Sequence, residues 1–96
     1  MTNIQSDKQL WGKDFPIGGE WDAGYTPAQT PPENSGRWTV RREETRFTVV
    51  FHRFHGRLEV QLAEYPPTEQ GEIEAKICAI FAYETNQTNP IFHQGA

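Results

Sequence analysis

Residues Arg46 to Glu64 read RFTVVFHRFHGRLEVQLAE, and the two arms of this stretch fold onto each other about His55-Gly56. With a two-residue turn there, Arg53 faces Leu58, Phe51 faces Val60, Val49 faces Leu62 and Phe47 faces Glu64. On the other side Phe54 faces Arg57, His52 faces Glu59, Val50 faces Gln61 and Thr48 faces Ala63. One face is almost wholly apolar and the other mixed and charged, which is the period-2 pattern of a half-buried antiparallel pair. Gly56 supplies the positive φ that a tight primed turn needs.

Working outward, Arg37 to Arg42 (RWTVRR) puts Trp38 and Val40 on one side and Thr39 and Arg41 on the other. It reads as a strand that joins the hairpin through Glu43-Glu44-Thr45. Three strands with one apolar face need a cover. The chain offers one after Tyr65-Pro66-Pro67: Thr68 can cap, and from Glu72 the sequence is EIEAKICAIFAYE. Ile73, Ile77, Ile80 and Phe81 fall at i, i+4, i+7 and i+8, one apolar stripe on a helix. Ala75, Ala79 and Ala82 favour helix, and acids occupy the first turns, where the helix dipole stabilises them. Gly71 is a poor helix residue, so the spacing predicts a start after it. The expectation is an α+β domain: a three-stranded antiparallel sheet, with the hairpin of residues 46–64 at its centre, packed with one C-terminal helix whose isoleucine stripe faces the sheet. The alternative is an all-β four-stranded meander, in which residues 72–84 alternate as a long last strand.

Residues 1–36 are rich in proline and glycine and carry Trp11, Phe15, Trp21 and Tyr25. No helical period survives Phe15-Pro16-Ile17-Gly18-Gly19, and Thr26 to Gly36 reads as irregular chain. Long disordered segments are poor in large aromatic residues. The expected organisation is therefore an extended aromatic arm over 1–36, a compact domain over 37–85 and a flexible tail over 86–96. The arm would lie on the sheet, on a partner or on a second copy of the chain.

The chain has 96 residues and a formal net charge of −4, enough for one small core. Its charge is unevenly placed. All six arginines lie between Arg37 and Arg57 against only Glu43 and Glu44, giving that window +4, and the remainder carries three lysines against eleven acids, −8. Cys78 is the single cysteine, which excludes an internal disulfide framework and fits a reducing compartment. Met1 to Leu10 lacks a basic start followed by an apolar core, so it does not read as a secretory signal. No run is long enough to span a bilayer. The expected location is the cytoplasm, with no membrane partner.

Catalytic and metal groupings are sparse. His52-x-x-His55 has the spacing of a metal pair, but residues three apart on a strand point to opposite faces. Cys78 has no neighbouring base, and Gly18-Gly19 lacks the lysine and following helix of a phosphate loop. No enzyme, metal or cofactor is expected. What remains is an arginine-aromatic surface of Arg41, Arg46, His52, Phe54 and Arg57, joined by Trp11, Phe15 and Trp21 of the arm. Arginine and aromatic residues are enriched at protein hot spots and pair with carboxylates. The first expectation is a non-catalytic adaptor or inhibitor that docks on an acidic protein surface. The same side chains suit phosphates and stacked bases, so a single-stranded nucleic-acid-binding module is the alternative. A structural subunit of a larger assembly, or a homodimer, is the third.

Overall fold

The computed structural model describes residues 16–26 and 34–90. Four antiparallel strands follow one another in space as in sequence: β1 (Glu20–Thr26), β2 (Gly36–Arg42), β3 (Phe47–Arg53) and β4 (Leu58–Tyr65). One helix, α1 (Glu69–Glu84), lies across one face of this sheet. The α+β class is as expected, but the sheet has four strands rather than three. The extra strand comes from the region read as an arm, and residues 72–84 are helical, so the all-β alternative is excluded. The pattern of β1 is hidden in the sequence by a bulge between Asp22 and Gly24, which interrupts the two-residue alternation. Gly24 is required there because the ring of Tyr83 lies over it; a Cβ would sit 2.6 Å from Tyr83 Cε2.

The hairpin keeps the expected register as far as Val50–Gln61 and then slips by one residue. Val49 faces Ala63, Thr48 faces Glu64 and Phe47 faces Tyr65. The unbulged register would have set Glu64 opposite Phe47 on the apolar face. A bulge at Leu62 removes that conflict: Leu62 and Ala63 both pack on the core, Tyr65 follows them, and Glu64 crosses to the polar side. At the turn, Arg57 N–H donates to the Phe54 carbonyl (3.4 Å), so His55 and Gly56 are its central residues as read. Positive φ falls on Gly56 (85°) and Arg57 (53°) rather than on His55, so the turn is not of the primed kind.

Thr68 caps α1, its Oγ accepting from Gly71 N–H at 3.0 Å, which satisfies one of the free donors of the first turn. The helix therefore begins before Gly71, and Gly71 is no defect. Its first turn is pressed against the Pro66 backbone, where a Cβ on Gly71 would lie 1.9 Å from the Pro66 carbonyl oxygen.

The orientation of α1 reverses the expectation from its hydrophobic stripe. Ala75, Ala79 and Ala82 face the sheet and are fully buried, whereas Ile73, Ile77, Ile80 and Phe81 are exposed. The sheet already fills the core with Trp38, Val40, Phe47, Val49, Phe51 and Leu62. Large side chains on both surfaces would hold the layers apart, so methyl groups on α1 allow close packing against bulky strand residues. Trp38 sits at the centre, 4.7 Å from the Phe51 ring and 5.7 Å from the Tyr83 ring. Its indole N–H donates to the Gln87 carbonyl at 2.8 Å. That bond ties residue 87 to the sheet; residues 91–96 lie outside the described residues.

Candidate functional site

On the sheet face away from α1, Arg37, His52 and Glu59 form one cross-strand row, and Arg41, Thr48 and Glu64 another, with Thr39 and Val50 between them. The rows are bridged. Arg41 donates to Glu20 at 2.9 Å and to Glu59 at 3.0 Å. Glu20 also reaches Arg37 at 3.1 Å and His52 Nε2 at 3.1 Å, and Arg37 lies 3.2 Å from Asp22. Glu20 and Arg41 thus extend from one row to the other, across Thr39 and Val50, both of which are fully buried. At the end of the sheet Arg46 is held by Glu43 at 2.6 Å and by Glu64.

The titration of these groups follows from the pairing. Burial pushes the Glu20 carboxyl up, but the Arg41 hydrogen bond and the charges of His52, Arg41 and Arg37 outweigh it and hold the carboxyl below its ordinary range. Burial lowers Arg41, and its bonds to Glu59 and Glu20 more than restore it. Arg46 is raised by Glu43 and Glu64. In all, three arginines of this face meet five carboxylates. The basic character of the 37–57 window is cancelled in space by acids that the other strands bring to it.

The structure therefore separates the residues that the sequence groups together. Arg41, Arg46 and His52 belong to the ion-pair network. Phe54 and Arg57 stand at the exposed tip of the β3–β4 turn, beside Arg53, whose Nε donates to the His55 carbonyl at 2.9 Å. Trp21 packs at the flank of the core with the Lys76 ammonium 5.0 Å from its ring centroid, a cation–π contact. Trp11 and Phe15 lie outside the described residues.

Thr39, His52 and Glu59 fall in an order that resembles a nucleophile, base and orienting acid. Thr39 Oγ lies 3.1 Å from His52 Nε2, and His52 Nδ1 lies 3.5 Å from Glu59. Thr39 is fully buried, however, and the same Nε2 also faces Glu20. Among the described residues no three His, Cys, Asp or Glu side chains gather as a metal site, and no helix is long and apolar enough to cross a membrane. Cys78 is half-buried; burial pushes its thiol up, against a hydrogen bond with Tyr65 that lowers it.

The surface that the sequence reading assigned to the core is the one left open. Along the solvent side of α1, Ile73 is 44% exposed, Ile77 61%, Ile80 40% and Phe81 58%. Contiguous apolar surface of this kind marks interaction sites in folded proteins. The signal available in the sequence was the second, all-alanine stripe of Ala75, Ala79 and Ala82. Hydrophobicity alone ranks it below the isoleucine stripe.

No family model, curated protein or solved structure matches this chain.

Proposed function

We propose that the chain is a non-catalytic protein-docking module, an adaptor or inhibitor, that engages its partner through the outer face of α1. The observation that carries this reading is the exposure of Ile73, Ile77, Ile80 and Phe81 on a helix whose buried side is alanine. Such a ridge offers i, i+4, i+7 and i+8 anchors to a hydrophobic groove or to a second helix. The sheet face is the weaker candidate for docking. Its arginines Arg37, Arg41 and Arg46 are already paired with carboxylates, and freeing them would cost the network those interactions. Nucleic acid finds less support than protein, since the exposed arginine-aromatic groups are small: Phe54 and Arg57 at the β3–β4 turn, and Tyr25 opposite an Arg37 that is already ion-paired. A non-catalytic role is supported by the sealed Thr39 hydroxyl, which no substrate carbonyl can approach.

The test is calorimetric binding of a partner recovered by cross-linking and then purified. The double variant Ile77→Asp/Phe81→Asp should weaken the complex by about 100-fold or more, because truncation or charging of central anchors removes most interface energy. Arg41→Glu/Arg57→Glu should change it by less than about threefold. The reverse ranking would return the binding site to the arginines, and single-stranded RNA binding lost in the arginine variant would replace this reading by the nucleic-acid one.

A further inference from the structure

The identity of the occupant can be narrowed by charge, an inference that rests on the docking face just described. We infer that α1 receives an apolar partner segment flanked by lysine or arginine, an amphipathic basic helix, and not a second copy of this chain. The ridge is edged by carboxylates. Glu69 stands in the first turn of α1, Glu74 is one turn before Ile77, and Glu84 is one turn beyond Ile80 and Phe81, all three exposed. Glu74 accepts a hydrogen bond from the neutral Gln70 amide at 3.1 Å, and no arginine, lysine or histidine is paired with it among the described residues. The single cation of the helix, Lys76, is turned to the opposite flank, where it is held 2.9 Å from Glu72 and over the Trp21 ring.

The last turn of α1 has no basic residue, and Glu84 adds negative charge at the end where the helix dipole is already negative. A cation supplied by a partner would relieve that position. Two copies of the helix cannot supply one. Paired antiparallel about Ile77, they set Glu84 of one beside the Glu69-Gln70 turn of the other. Paired parallel, they set each carboxylate against its own image. Like charges across an apolar seam select against the homodimer and for a basic partner.

A random library of 16-residue peptides displayed on phage, panned on the full chain and counter-selected on Ile77→Asp/Phe81→Asp, tests this directly. The expected winners carry apolar residues at helical spacing with lysine or arginine beside them. Synthesised, they should lose about tenfold or more in affinity for Glu74→Lys/Glu84→Lys, and again on raising salt. Winners that are neutral or acidic, yet lost in the Ile77→Asp/Phe81→Asp chain, overturn the basic partner while leaving the docking face standing. If the peptides enriched on the wild-type chain are all removed by the counter-selection, the docking face itself is overturned. An absence of winners refutes the inference. So does a concentration-dependent dimer, seen by sedimentation of the wild-type chain and abolished by the same two substitutions.

Discussion

Replacing Ile77 by alanine should barely change stability, and enlarging Ala79 to leucine should damage it, an order opposite to the one hydrophobicity suggests. Ile77 is 61% exposed, so its truncation gives up less than half of the roughly 1.5–3 kcal/mol that a fully buried aliphatic side chain contributes. Alanine returns a few tenths of a kcal/mol through its higher helix propensity, leaving a net cost below about 1 kcal/mol. Were Ile77 packed on the sheet, the same substitution would cost about 2–5 kcal/mol. Ala79 is fully buried between α1 and the strands. Leucine there must push the helix away from Trp38 and Val40 or strain its own rotamer, at about 1–3 kcal/mol. Urea unfolding followed by tryptophan fluorescence reads both variants, and a thermal scan should show about 4–8 °C lost per kcal/mol for a domain of this size. An Ile77→Ala cost above about 2 kcal/mol, or an Ala79→Leu protein as stable as wild type, would refute the orientation of α1. The docking proposal would fall with it.

Gly71→Ala would normally stabilise a helix by about 1 kcal/mol. With a Cβ placed 1.9 Å from the Pro66 carbonyl oxygen, it should instead cost about 1–3 kcal/mol in the same urea assay, and a stabilised variant would disprove the close approach. The ion-pair network should show in acid. Glu20 has a folded pKa below the ordinary carboxylate value of 4.5, so its contribution is complete above that pH and is lost as pH falls through the depressed folded value. Stability measured against pH should decline below about 4.5, and Glu20→Gln should flatten that decline. An unchanged acid limb in the variant would mean that Glu20 is not held as described.

The meander of β2, β3 and β4 was legible because its causes are local. Alternation in RWTVRR and RFTVVFHR, the glycine of the His55-Gly56 turn and the Thr68 cap each act within a few residues. The bulge at Leu62 was visible only as an inconsistency, Glu64 opposite Phe47, whose resolution depends on which residues the far strand offers. Strand β1 was obscured because its own bulge and Gly24 break the alternation, and Gly24 is explained only by Tyr83, far along the chain and laid over it. The arginine group was misjudged for a similar reason. Arg41 is basic among its neighbours in sequence, but Glu20 and Glu59 reach it from other strands.

By itself, then, the sequence determined the hairpin, the strand before it and the absence of a disulfide framework, since short-range periodicity and residue chemistry decide these; it left residues 72–84 open between helix and strand. The tertiary structure alone decided which side of the helix is buried and which charges remain free. Both are questions of volume and distance between segments remote in sequence. A sheet already carrying Trp38, Phe47 and Phe51 accepts alanines beneath the helix, and so turns its isoleucines outward.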